Sequence, residues 1–434
     1  MLSTIATALW SAPTLAAFLC VGFWFSAKTR FFQFTHMGAW MRETFGSLLK
    51  KGSATTDAHT IRPFQALTAA LAACMGTGNI AGVATALVLG GPGAIFWMLI
   101  SSILSQMTAF AENALGIRYR YKSARGDYVG GTMVTLARGL HMPGLGRVHC
   151  VLLLLASFGV GNMTQGNSAA AALQESFGLA PLAVGIALAA LTAAVAAGGI
   201  KRLATVTEWI IPLLSGLFIL ACVVIIVHNG RALPGVFAQI GRGIWNRDAM
   251  RWGIARGVFS NEAGLGTAPL IHAAANCKKP AQQGFWGIAE VFIDTTLMCT
   301  VTGVTLLASG VYAPTGTRTG AGLCADAFAT LFGTAGRHFV SISLCLYAFT
   351  TLIGWGQYGR SAARYLSGKP WLERVYLAVF VAAVVIGCVA RLDTVWLLAD
   401  IFNALMAIPS LLSLVLLRRE ALAEFRGQRR EGRF

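Results

Sequence analysis

The chain has 434 residues, 56% of them apolar and 12% charged, with 49 glycines against 12 prolines. Soluble domains average about 45–50% apolar and about 25% charged residues, so an ordinary soluble domain is excluded, and at about 20 residues per crossing the length allows roughly eleven membrane spans. The net charge of +17 does not indicate a nucleic-acid partner, because the basic residues sit in short clusters between apolar runs, the pattern in which membrane topology is written.

The apolar runs, taken in chain order, fall at 12–27, 64–89, 93–115, 148–176, 181–197, 203–228, 250–275, 284–309, 337–365, 371–390 and 393–417. No basic region precedes the first and no small-residue cleavage site follows it, so it reads as a retained helix and not a signal peptide. One alternating set of connections carries most of the 34 basic residues, among them Arg42, Arg62, Arg118, Arg120, Lys201, Lys278, Arg364 and the tail from Arg418. The positive-inside rule places that set in the cytoplasm, the N-terminus outside and the C-terminus inside. Residues 126–140 read as an amphipathic segment on the cytoplasmic surface, and 312–335 as an external loop with a short helical cap. The nine cysteines are scattered with no CxxC pair, which supports neither a metal site nor a disulfide framework.

The second and seventh runs are interrupted alike. Ala72-Ala73-Cys74-Met75-Gly76-Thr77-Gly78-Asn79-Ile80-Ala81-Gly82 and Phe259-Ser260-Asn261-Glu262-Ala263-Gly264-Leu265-Gly266-Thr267 place glycines and polar side chains at mid-span. Each interior glycine costs about 1 kcal/mol, and irregular backbone at that depth survives only where protein or a water-filled cavity satisfies it. Close helix packing of the GxxxG type is the alternative for either segment alone. As a pair, however, they open the two halves of a five-plus-five core, residues 64–228 and 229–417, preceded by a leading helix and basic loop (1–63) and followed by a basic tail (418–434). An odd number of spans per half inverts the second half, and paired broken helices in an inverted repeat point to a transporter binding site. Freed N–H groups suit a carboxylate, and freed carbonyls suit a monovalent cation.

At these residues the sequence resembles the alanine/glycine:cation symporter family, an all-α polytopic family with the LeuT-type fold. The resemblance rests on 76–82, on Gly90-Gly91-Pro92-Gly93-Ala94, on 259–264 with His272-Ala273-Ala274-Ala275, on Asp294-Thr295, and on Phe349-Thr350-Thr351 with Trp355; it runs from about residue 32 to 417. It implies that Thr77 and Gly78 offer N–H groups to a substrate carboxylate and that Asn79 braces the break or faces substrate or cation. Phe259, Ser260 and Asn261 are then expected to line the substrate's other end, with the amides of Gln165 and Asn167 directed toward the pocket and Trp355 and Met406 limiting its size. It also implies Na+ as coupling ion, held by the carbonyls of Ala72 and Met75 and the hydroxyls of Thr350 and Thr351. Two stretches depart from the family pattern, Gly356-Gln357-Tyr358-Gly359-Arg360 and Gly130-Gly131-Thr132-Met133.

Structural alternatives stand beside these roles. Thr350 and Thr351 can bond carbonyls of their own helix, Gln165 and Asn167 can link helices, and Trp355 can be a packing residue. Among the acids that fall in spans are Glu112, Glu208, Glu262, Asp294 and Asp400. Glu112 is expected to pair with Arg118, and Glu262 to accept freed N–H groups beside the break. Asp294 and Asp400 are expected as polar links or a proton-sensitive site, and His272 as a helix cap. The expected activity is symport of Na+ and a small neutral amino acid, alanine or glycine. The alternatives are proton coupling or another substrate such as glutamine or serine. Enzyme motifs and a nucleotide loop are absent from the sequence, and asymmetric paired breaks argue against a channel.

Overall fold

The computed structural model describes residues 2–48, 59–124, 126–313, 320–390 and 393–430, without the side chains of 393 and 429. Of the 34 basic residues, Lys50, Lys51, Arg125, Arg318, Arg391 and Arg433 lie outside them. Among the described residues the regular structure is helical apart from one two-residue antiparallel pair, β1 (Tyr121–Lys122) with β2 (Tyr128–Val129), and an isolated parallel bridge between Ile61 and Ala275.

A leading helix α1 (Ala12–Lys28) precedes the first broken span, α2 (Pro63–Cys74) and α3 (Val83–Gly90), whose halves are bent by 56°. Then come α4 (Gly93–Tyr119), α5 (Pro143–Phe158) running into α6 (Thr164–Phe177), α7 (Pro181–Ala197) and α8 (Gly199–His228). The second half opens with a second broken span, α9 (Arg247–Asn261) and α10 (Ala268–His272). It continues with α11 (Pro280–Val291) and α12 (Thr300–Ala308), then α13 (Gly320–Ser367), α14 (Pro370–Val389), α15 (Asp393–Leu416) and the tail helix α16 (Arg418–Arg430). Proline opens α2, α5, α7, α11 and α14, where its missing N–H has no helical partner to lose.

Among the described residues, eight helices are long and apolar enough to cross a membrane, and the bent pair raises this to nine. The expected count of eleven is not reached on that measure. α7 has 17 residues, and α9 has 15 that include Arg247, Asp248, Arg251 and Arg256. α8 turns an apolar face outward, including Trp209, Leu213, Leu220 and Val227, as a lipid-facing helix should. α4 lies centrally against both broken spans' neighbours; a Cβ on Gly284 of α11 would sit 2.7 Å from the Phe110 ring, the close approach that small residues permit.

Two loop expectations are settled by burial. Met133, Val134 and Leu136 are buried, so much of the 126–140 segment is packed into the protein and does not lie as a free amphipathic surface element. Residues 320–332 are helical, and Gly333 (φ 59°, ψ −141°) turns the chain before the long helix resumes.

Candidate functional site

The first broken span stops at Cys74 because Gly76, Thr77 and Gly78 follow, and Met75 leaves the helical region at φ −74°, ψ 87°. The last-turn carbonyls, Ala72 and Met75 among them, therefore lack a following helical N–H. The chain re-enters through a π-type turn, Gly78–Gly82. Similar turns interrupt the neighbouring spans at Gly159–Met163 and Phe292–Cys299, the kind of irregularity that marks functional sites within helices.

The second broken span ends its first half in left-handed backbone at Glu262 (φ 54°), with positive φ again at Gly264 (92°) and Gly266 (83°). A side chain would be strained at those glycines. The freed N–H groups of Gly264 and Gly266 donate to Glu112 of α4 at 2.9 and 3.0 Å, and Ser410 of α15 donates to the same carboxylate at 2.9 Å. The acid that braces this break is thus Glu112, not Glu262. Nor does Glu112 pair with Arg118, which reaches Glu420 at 3.1 Å and Glu424 on the tail helix. Glu262 instead accepts from Trp355 Nε1 at 3.1 Å and Thr267 Oγ1 at 2.7 Å. Glu208 binds Arg62 and Gln65 at the end of its span.

A cavity of about 720 Å³ leads from the protein surface, at the ends of α6 and α13 away from the basic loops, down to the first break. Thr77, Gly78, Asn167 and Phe259 line it, with Arg256, Glu175, Arg337 and His338 in its wall. The Arg256 guanidinium lies 5.4 Å from the Phe259 ring centre and 5.5 Å from that of Trp252. Trp355 is fully buried, is held by Glu262 and, among the described residues, is not part of this wall; it packs instead of limiting the cavity. Met406 is likewise buried and not in the wall.

The remaining expected ligands divide into three groups. Gln165 accepts the Thr77 N–H through Oε1 at 3.2 Å while its amide donates to Val160 O at 3.0 Å. Asn167 donates to the carbonyls of Gly387 and Ala390, both at 3.2 Å, so it links helices as well as lining the cavity. Asn79 and Ser260 lie behind the wall, both on Asp294, while Asn261 accepts from Ala263 N at 3.0 Å and leaves its amide nitrogen without a partner.

Of the two threonines, Thr351 reaches across to Met75 O at 3.4 Å, whereas Thr350 bonds Tyr347 O of its own helix at 2.9 Å. The chain therefore brings together Met75 and Thr351, with Ala72 in the last turn of α2 and Thr350 engaged in the back-bond given above as its alternative. Oxygen donors of this kind fit a weakly held monovalent cation.

Sequence reasoning missed the meeting point of the two breaks. Asp294 accepts from Asn79 Nδ2 at 2.7 Å, Ser260 Oγ at 2.9 Å and Thr295 Oγ1 at 2.5 Å. Its place inside a span was a visible signal; its partners, from two other helices, were not. His272 was also misread. It is buried and bonded to Glu290 at 3.0 Å and to Gln283, instead of capping a helix end.

Comparison with known proteins agrees with this geometry. Solved structures similar to the chain include that of MhsT in complex with L-phenylalanine, with a TM-score of 0.64 at 15% identity, covering 83% of this chain and 91% of that one; this gives the LeuT-type fold. Similar sequences include the sodium/alanine symporter AgcS of Methanococcus maripaludis, 39% identical over 98% of this chain and 96% of that protein. Another is the probable sodium/glutamine symporter GlnT of Bacillus subtilis, 35% identical over 98% of this chain and 90% of that protein. The family model described as the sodium:alanine symporter family matches residues 1–433, and with two broken spans meeting at the foot of a cavity, the chain belongs to that family of membrane transporters.

Proposed function

We propose that this chain couples the entry of Na+ to the uptake of a small neutral amino acid, alanine or glycine, by alternating access. The observation that carries the reading is the cavity floor. It ends on Thr77 and Gly78 at the first break, and the Met75–Thr351 contact lies beside that break. The substrate carboxylate binds the N–H groups of Thr77 and Gly78, displacing the Gln165 amide oxygen that occupies Thr77 N–H in this state. The Phe259 ring faces its amino and side-chain end, with Ser260 and Asn261 behind it. Na+ sits among the carbonyls of Ala72 and Met75 and the hydroxyl of Thr351, with Thr350 joining if it leaves its back-bond.

The basic loops lie in the cytoplasm of a bacterial-type inner membrane, so the cavity opens outward and the N-terminus lies outside. Residues 64–228 and 229–417 form the two inverted repeats that move against each other. The volume of the cavity, about 720 Å³, exceeds what alanine fills, and one relative is named for glutamine; a larger neutral amino acid is therefore the second reading.

Counterflow in liposomes preloaded with unlabelled alanine tests the carrier. Labelled L-alanine should accumulate transiently without an energy source, and glycine in excess should compete better than glutamine or serine. Stronger competition by glutamine would transfer the assignment to the second reading.

A further inference from the structure

Beyond the cavity, toward the basic face, lies a polar cluster that substrate and Na+ do not use. His272, the last residue of α10, is fully buried, as are Gln283 and Glu290 of α11. His272 Nε2 lies 3.0 Å from Glu290 Oε2. The Gln283 amide nitrogen faces His272 Nδ1; with the amide turned this way Nδ1 accepts and the ring proton is on Nε2. In that arrangement Gln283 Oε1 is buried with no hydrogen-bond partner, an expensive condition for an amide oxygen.

The orphaned oxygen and the accepting ring nitrogen belong to adjacent groups, and one proton answers both. We propose that His272 Nδ1 is a proton-binding site. A proton from water on the basic face adds to Nδ1, the Gln283 amide rotates by half a turn, and Oε1 accepts the new Nδ1–H. His272 then faces Glu290 as a cation to an anion. The bond between them becomes charge-assisted, roughly twice as strong as a neutral one.

The location gives the proton a consequence. α10 is the half-helix that follows the second break, and Glu290 sits on α11, which continues toward Asp294. Arg120 holds the chain just beyond His272 through the carbonyls of Ala273 and Ala275 at 2.6 and 2.7 Å and Cys277 at 3.0 Å. Opening toward the basic face requires α10 to part from these partners. A proton bound in the closed arrangement strengthens the clamp, so acid favours the state that opens away from the basic face.

Other titratable groups surround the pair. The carboxyl groups of Glu112 on α4, Glu262 beside the break and Asp294 on the α11–α12 span all lie within the field of Glu290. The Cys74 thiol of α2 and the Tyr358 phenol of α13 also lie within that field, and the Arg120 guanidinium opposes a cation.

The test compares wild type with His272→Gln, which keeps a donor for Glu290 but cannot titrate in this range. In liposomes at the same pH on both sides under one Na+ gradient, wild-type alanine uptake should slow by about fivefold between pH 8 and pH 6. The H272Q protein should show a flat profile over that range. An unchanged profile in H272Q, or a flat one in wild type, overturns the proposal.

Two further measurements keep the test decisive. Gln283→Met removes the acceptor for the added proton and should weaken the acid response; a response equal to wild type counts against the proposal even if H272Q does not fold. Cys277 lies just past the clamp, and burial pushes its thiol up to about 11. Its labelling, read by peptide mass and compared between the two proteins at each pH, reports opening without any substrate. H272Q should label several-fold faster than wild type at pH 6 and equally at pH 8. Equal labelling at both values overturns the proton site, whereas absent alanine uptake with unequal labelling overturns only the substrate assignment.

Discussion

Asn79 and Ser260 belong to different broken spans, yet they donate to opposite oxygens of one carboxylate: Asn79 Nδ2 lies 2.7 Å from Asp294 Oδ1, and Ser260 Oγ lies 2.9 Å from Oδ2. Asp294 therefore ties the two broken segments together.

Replacing Asp294 with Asn tests that tie. The amide keeps its oxygen for Asn79 and turns its nitrogen toward Ser260 and Thr295, whose hydroxyls must then accept and find new acceptors for their own protons, at a cost of about 1–3 kcal/mol. Alanine uptake should fall by about tenfold or more, the equivalent of 1.4 kcal/mol in a barrier, while the purified protein stays folded. Wild-type uptake rates in D294N would show that the tie does not govern transport.

Thr351 is the hydroxyl that reaches the broken end of α2, and Thr350 is not. Thr351→Val should raise the Na+ concentration for half-maximal uptake by about tenfold, the loss of roughly 1.4 kcal/mol of ligation. Thr350→Val should raise it much less. Na+ titration of uptake in both variants checks the order, and an equal effect would mean that Thr350 leaves its back-bond when the ion binds.

The tight glycine at the first break is Gly76. A Cβ there would lie 2.7 Å from Thr351 Oγ1 and 3.0 Å from Gln165 Oε1, whereas one on Gly78 meets nothing nearer than 3.7 Å. Gly76→Ala should cost about tenfold or more in uptake by displacing both side chains. Gly78→Ala should retain most activity, and Gly78→Val, which extends into the cavity, should lose it. Uptake rates of the three variants decide this, and full activity in G76A would remove the crowding argument.

Trp355 supplies a hydrogen bond to Glu262 at 3.1 Å and lies away from the cavity wall. Trp355→Phe should lower stability by about 1–3 kcal/mol, because it leaves a buried carboxylate oxygen short of a donor. The KM for alanine should not change. A thermal melt in detergent and a KM determination separate the two effects; a changed KM with an unchanged melt would return Trp355 to the pocket.

The breaks were legible because glycine and mid-span polar residues carry a cost that only function or close packing explains, and both segments break where the sequence places them. The cavity-lining positions Thr77, Gly78, Asn167 and Phe259 were expected from the family resemblance and not from that cost. Partnerships were not. Glu112 and Glu262 are equally visible as intramembrane acids, but which one takes the N–H groups of Gly264 and Gly266 depends on how α4 crosses the second broken span, and a local motif does not encode that crossing. His272 sits next to a basic loop and so reads as a cap; only the packing of α11 against it shows that Glu290 and Gln283 enclose it. The span count suffered in the other direction, since α9 is interrupted by arginines and α7 is short.

The central claim is tested most directly by uptake of radiolabelled L-alanine into proteoliposomes under an inward Na+ gradient, compared with an equal K+ gradient. Na+-driven accumulation above equilibrium, absent with K+ and blocked by excess unlabelled glycine, is the predicted result. Accumulation that ignores Na+ and follows a pH gradient would contradict the assignment of Ala72, Met75 and Thr351 as the coupling-ion site.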